Sequence, residues 1–224
     1  MSTDIETLNA LLHRRHSCRA YLPDAVPDRI IKQIVDTAQR VPSWCNAQPW
    51  QLHITSPAQT NELRNALYQH ASAIPEASDI EFPTAYTGAY KDRRRACGWA
   101  LYDAVGVTKG DRDASMRQMM ENFRLFGAPH FALITTEADL GAYGVLDCGA
   151  FVTAFTLAAE ALGVASIPQA AVAGFSPLLR DWFDIPEHRH IVCGISFGYR
   201  DTTHPANQFR TERASFDEVV TWHR

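Results

Sequence analysis

The 224-residue sequence lacks most of the short motifs that announce a chemistry. No Gly-x-Gly-x-x-Gly follows an apolar strand and no Walker A loop is present, so neither fingerprint holds a dinucleotide or a nucleoside triphosphate. There is no His-Glu-x-x-His, and the histidines are scattered. His188 and His190, two apart on an expected strand, are a thin basis for a metal site. The Gly-x-Ser-x-Gly elbow of the hydrolases is missing. Five cysteines (Cys18, Cys45, Cys97, Cys148, Cys193) form no Cys-x-x-Cys and are odd in number. That excludes a disulfide framework and a zinc ribbon, and fits free thiols in a reducing cytoplasm. No apolar run approaches the roughly 20 residues needed to cross a bilayer. The acidic start, Met1 to Glu6, carries no secretory core. The net charge of −4 argues against a general nucleic-acid binder. With no evident acid, base or nucleophile, the pattern suits chemistry carried by a bound cofactor.

What is present reads as one globular domain over residues 1–224, with 46% hydrophobic and 21% charged residues. Helical spacing of Ile5, Leu8, Leu11 and Leu12 predicts a helix over 4–13. Pro27 and Asp28 open a second helix, with Ile30, Ile31, Ile34, Val35 and Ala38 as its buried stripe, and Pro42 ends it. Further helices are expected over 57–72, 90–105 and from Asp111, the last with Met116, Met119 and Met120 as core filler. The longest apolar helix runs from Gly144 to Leu162, closed by Gly163. It should lie centrally or against a second subunit. Strands are expected at 51–55, 129–135, 164–170 and 190–199. Helices outnumber strands, which predicts an α+β sandwich with a small mixed sheet. Residues 74–89 have no period and read as a long loop of the kind that forms lids. Residues 201–224 lack a core pattern until Phe216 and read as a C-terminal arm that packs on something else, a partner chain included.

One short stretch concentrates charge: Arg14-Arg15-His16-Ser17-Cys18-Arg19-Ala20-Tyr21. In an extended chain, side chains two apart face the same way, about 6.6 Å from one another. Arg15, Ser17 and Arg19 then share a face, with His16, Cys18 and Ala20 turned into protein. Arg15 and Ser17 can hold a dianionic phosphate, Arg by a two-pronged charged bond and Ser by its hydroxyl. Arg19 reaches farther along the same ligand. A solvated basic turn after a helix is the alternative. A second dense stretch, Pro42-Ser43-Trp44-Cys45-Asn46-Ala47-Gln48-Pro49-Trp50, reads as an ordered loop. Trp44 and Trp50 also suit a plain core role, and Asn46 and Gln48 a loop-satisfying one. Arg93, Arg94 and Arg95 form a solvated helix face.

Taken in order, Arg15-His16-Ser17-x-Arg19, Pro42-Ser43-x-x-Asn46-x-Gln48-Pro49-Trp50, Ile167-Pro168-Gln169-Ala170, Gly198-Tyr199-Arg200 and Arg210-Thr211-Glu212-Arg213 resemble the nitroreductase family of FMN-dependent oxidoreductases, over nearly the whole chain. The resemblance implies an α-β-α sandwich and a domain-swapped homodimer with two FMN sites at the subunit seam. It implies hydride transfer from NADPH or NADH, through flavin N5, to a nitroaromatic, quinone or related small-molecule acceptor. Dehalogenation, azoline oxidation, flavin breakdown or non-catalytic flavin binding on the same scaffold are its alternatives. By the same resemblance Arg15, His16 and Ser17 meet the phosphate and Arg19 the ribityl and pyrimidine edge. Pro42, Ser43, Trp44 and Asn46 close over the cofactor from the other subunit. Gln169 and Ala170 lie beside the ring, and Arg210 and Arg213 complete the phosphate pocket. Trp44-Cys45 stands where many relatives carry small residues, which suggests an aromatic wall. Residues near Asn122 and Arg124 would fall at the pyrimidine edge.

Overall fold

A computed structural model describes residues 3–224. Its centre is a four-stranded sheet in the order β1-β2-β4-β3, formed by β1 (Gln51–Ile54), β2 (His130–Glu137), β3 (Ala165–Gln169) and β4 (Arg189–Gly198). All three pairings are antiparallel. Parallel pairing enters only through two isolated bridges, Ser17 to Ser166 and Ala77 to Phe175.

β2 shows why the sheet is covered on both sides. Side chains alternate across a strand, and β2 is apolar at successive positions. Ala132 and Ile134 join Phe151, Phe155 and Ile195 on one face, while Phe131 and Leu133 join Leu63, Phe175 and Leu179 on the other. The first face is covered by α2 (Asp28–Ala38) and α6 (Gly141–Ala161), the second by α3 (Pro57–Ala73) and α7 (Ser176–Phe183). The result is the expected α-β-α sandwich. Close approach on the second face depends on Gly194, where a Cβ would fall 2.2 Å from the Phe131 ring.

Helix boundaries follow local chemistry. α1 (Asp4–Arg14) starts at a reciprocal Thr3–Glu6 capping box, α3 at the Ser56 hydroxyl, and α5 (Arg112–Met120) at the Asp111 carboxylate. α6 is long and apolar enough to span a membrane by length and composition, although no such run was expected from the sequence. It is a core helix, packed on α1, α2, β2 and β3.

One expectation needs correction. Met116 and Met119 are 57% and 39% exposed, and only Met120 of that group is buried. α4 (Gly88–Ala104) contains no buried residue among those described, and Trp99 is exposed. Met120 packs into the core of the second face, while Met116 and Met119 lie on the outer side of α5. The long loop is partly fixed. The Asp79 carboxylate accepts from Arg180 Nη2 and from the Ile191 N–H, both at 2.8 Å. The tail beyond β4 ends in α8 (Phe216–Val219). It rests on its own chain through the Arg93–Glu218 ion pair at 3.0 Å, and leaves Phe216, Val219 and Trp222 exposed.

Candidate functional site

The basic stretch lies along the open edge of β3. Ser17 bridges Ser166 and the Cys18 N–H donates to the Ser166 carbonyl at 3.2 Å. This is extended backbone, so the side chains alternate. Cys18 and Ala20 are buried, and Arg15, Ser17 and Arg19 line a cavity of about 420 Å³. His16, expected to turn away, also contributes to the wall. The Tyr21 hydroxyl fixes the end of the stretch by donating to the Cys18 and Ser196 carbonyls, at 3.1 and 3.0 Å. Burial pushes that phenol well above its usual range.

The opposite wall comes from the tail, where Phe209, Arg210, Thr211 and Arg213 face the same space. Four guanidiniums therefore converge, and no carboxylate among the described residues lines the cavity. Arg19 donates to the Ser17 carbonyl at 3.3 Å and lies 5.5 Å over the Phe209 ring. Arg210 donates to the Asn207 and Phe209 carbonyls, and Arg213 to the Thr211 and Glu212 carbonyls and the Thr211 hydroxyl. The Arg15 guanidinium has no hydrogen bond or ion pair among the described residues. Burial lowers its pKa and the charge of Arg213 adds to that. Burial likewise lowers the Arg19 guanidinium.

The nearest buried carboxylate is already committed. Glu160, 7% exposed near the end of α6, takes Arg14 Nε on one oxygen and Arg200 Nη2 on the other, both at 2.9 Å. Like charges crowded into a half-buried cavity are unfavourable unless an anion enters. A phosphate dianion suits this donor set, because guanidinium forks and a serine hydroxyl match its oxygens. The residues present therefore fit the phosphate of FMN.

His16 donates from Nδ1 to the Arg14 carbonyl at 2.9 Å, which leaves Nε2 buried and without a partner among the described residues. Burial lowers its pKa, opposed by that hydrogen bond, with Arg200 and Arg210 also depressing it. Asn207 carried no signal in the sequence. It is 3% exposed, accepts from the Arg19 N–H at 2.7 Å, and donates to the Ala20 and Asp201 carbonyls at 2.9 and 2.8 Å. Glu160 was also missed, and Arg200 was named only within a motif, because their pairing joins residues 40 apart in sequence.

The second expected wall lies elsewhere in the chain. Pro42, Ser43, Trp44 and Asn46 belong to a tight loop whose Cys45, Asn46 and Gln48 all take positive φ. The Gln48 N–H donates to the Ser43 hydroxyl at 3.0 Å. The Trp44 N–H donates to Asp147 at 3.0 Å, and its ring meets Tyr143 edge-on with centroids 4.3 Å apart. Trp44 is 57% exposed. Asp147, which holds this loop, and Glu160, which holds Arg14 and Arg200, are 13 residues or about 20 Å apart along α6, and no residue of the loop lines the arginine cavity. One chain thus does not bring the two walls together.

Gln169 is buried, and its amide is consumed by the Asn122 carbonyl and the Ser196 hydroxyl, while Ala170 is exposed at the strand's end. Asn122 also donates to Met119, and Arg124 lies 4.4 Å over Tyr68. Trp50 is a core residue stacked on Phe151. Arg94 lies 5.1 Å over Tyr86, and Arg93 is taken by Glu218.

The fold and site define a class: an α-β-α sandwich with an arginine-lined cavity built from its sheet edge and tail. Residues 12–199 match the Nitroreductase family, and the chain belongs to it. It is 32% identical over 218 residues to a nitroreductase, NfnB, of Mycolicibacterium smegmatis, covering 96% of this chain and 92% of that one. It is 30% identical over 223 residues to a 4-nitrobenzoate reductase of a Nocardioides species, covering 97% and 90%. The structure of the FMN-dependent nitroreductase NfnB from Mycobacterium smegmatis in complex with NADPH superposes with a TM-score of 0.93. That match covers 98% of this chain and 99% of the other, at 30% identity.

Proposed function

We propose that this chain is an FMN-dependent oxidoreductase that uses NADPH or NADH to reduce a nitroaromatic, quinone or related small acceptor. The observation that carries the reading is the set of four arginines around a cavity that no carboxylate among the described residues balances. It is supported by relatives named as nitroreductases and by a similar structure described as FMN-dependent and in complex with NADPH. When bound, FMN supplies the hydride chemistry, receiving it from the nicotinamide and passing it to the acceptor.

The chain's own residues hold and orient. Arg15, Ser17, Arg210 and Arg213 grip the phosphate, with the His16 backbone beside it. Arg19 lies farther along the ligand, where a cation stabilises negative charge that develops on reduction. The functional unit in this reading is a homodimer, in which Pro42, Ser43, Trp44 and Asn46 of one subunit close over the ligand of the other. That none of these four residues lines the arginine cavity of its own chain supports that arrangement. So do the exposed apolar residues Leu8, Tyr143, Leu146, Phe216 and Trp222. The arm beyond residue 200 completes the single domain and presents Phe216, Val219 and Trp222 to the partner. With its side chain consumed, Gln169 contributes by its backbone, together with Ala170, beside the ring. The five free cysteines suit a cytoplasmic setting.

The test is to purify the protein, record its visible spectrum, measure its mass by light scattering, and follow NADPH oxidation with 4-nitrobenzoate. A yellow dimer of twice 25.0 kDa that turns over is the expected result. A colourless protein that takes up no added FMN and oxidises no NADPH overturns the reading.

A further inference from the structure

We propose that Asn207 is the positioning residue that sets the phosphate selectivity of this site, an inference that rests on the FMN reading above. The cations of the cavity come from opposite ends of the chain, and Asn207 is where the two ends are joined. Its Oδ1 accepts from the Arg19 N–H at 2.7 Å, which fixes the backbone of the residue that points into the cavity. Its Nδ2 donates both protons, to Ala20 and Asp201, so one amide adds a side-chain clamp to the backbone bridge that already pairs Tyr21 with Arg200. Its own carbonyl accepts from Arg210 Nη1 at 3.0 Å, which holds the head of a tail cation. Two residues on, Phe209 lies under the Arg19 guanidinium.

Few side chains can replace it. The position needs one acceptor and two donors in a plane, buried to 3% exposure, and asparagine has that inventory. Aspartate keeps the acceptor but sets a carboxylate oxygen against two carbonyls. Alanine removes the acceptor of the Arg19 N–H and the side-chain donor to the Asp201 carbonyl, while the Ala20 carbonyl keeps the Asp201 N–H. In either case the Arg19 backbone loses its tie to the segment that carries Arg210, although the Tyr21–Arg200 bridge remains. Asn207 does not line the cavity, so it acts through the residues that do.

A merely structural asparagine would weaken every ligand alike, whereas a positioning residue for the phosphate cations would weaken only phosphorylated ones. The experiment is therefore fluorescence titration of the cofactor-stripped full chain with FMN and with riboflavin. Wild type is compared with Asn207→Ala and Asn207→Ser. The expected result is that wild type prefers FMN. In Asn207→Ala the Kd for FMN rises by about tenfold or more, and that for riboflavin by less than about threefold. The serine variant, which keeps a single hydrogen bond, falls between. An unchanged ratio of the two constants overturns the inference while leaving the FMN reading intact. A wild type that binds neither flavin overturns that reading, and the inference with it.

If neither variant folds by circular dichroism, amide hydrogen exchange on the wild type decides. FMN should protect the segments 17–20 and 207–213 more than riboflavin does. Equal protection by the two flavins refutes the clamp.

Discussion

Arg15 and Arg213 face one cavity from opposite ends of the chain, and the charge of Arg213 helps lower the pKa of the Arg15 guanidinium. Proteins seldom hold two cations in such a place without a counter-ion, because the repulsion works against the fold. Here Glu160 is hydrogen-bonded to Arg14 and Arg200 and offsets the Arg15 charge only from a distance, so an entering anion relieves the repulsion. Affinity for a phosphorylated ligand and tension in the ligand-free protein thus have a common origin.

Arg15→Ala should separate these two effects. A charge-assisted hydrogen bond to phosphate contributes about 1.5–3 kcal/mol, so FMN affinity should fall by about ten- to a hundredfold. The ligand-free variant should melt no lower than wild type, because a repulsive cation is gone. Titration and calorimetry of the stripped protein measure both. Full affinity in the variant would move the phosphate site elsewhere.

Glu160→Gln should act on stability first. The carboxylate is buried, but Arg14 is 55% exposed and Arg200 23% exposed, so the pairs are partly screened. Against about 3–5 kcal/mol for breaking a buried pair, a loss near 2 kcal/mol is expected after that discount. Urea unfolding at low and moderate salt measures it. A variant as stable as wild type would show that the two arginines find other acceptors.

Acidification should destabilise the ligand-free protein through His16. Burial lowers this histidine from its ordinary value of 6.5, so between the two pKa values the unfolded chain binds more protons than the folded one. Stability then rises with pH in that window. It is undiminished above about 6.5 and falls as pH drops through it. His53, also lowered by burial and by Arg189, adds a change of the same sign. Urea midpoints at a series of pH values, compared with His16→Gln and His53→Gln, should show a smaller slope in each variant. Identical slopes would remove both histidines from the account.

Much of the fold was legible because helices and turns are written in neighbouring residues. Thr3 with Glu6, Ser56, and Asp111 each mark a helix start by side-chain bonds to the next few amides. The alternation of Arg15, Ser17 and Arg19 against Cys18 and Ala20 needs only an extended backbone. Met116 and Met119 show the limit of such reading. Their spacing is that of a core stripe, yet of this group only Met120 turns to the second-face core, and Met116 and Met119 lie on the outer side of α5. Gln169 shows the same limit from the polar side, since its amide is taken by Asn122 and Ser196.

By itself the sequence determined the local periods, the helix ends, and a basic strand whose alternate side chains gather on one side, because each depends on hydrogen bonds and sterics within a few residues. Only the tertiary structure decided that Arg210 and Arg213 face Arg15, that Glu160 is spent on Arg14 and Arg200, and that Asn207 ties the two ends together. Those contacts arise when β3 leaves an open edge and the first and last segments pair beside it. That event is governed by burial of the whole sheet and is written in no single stretch of chain.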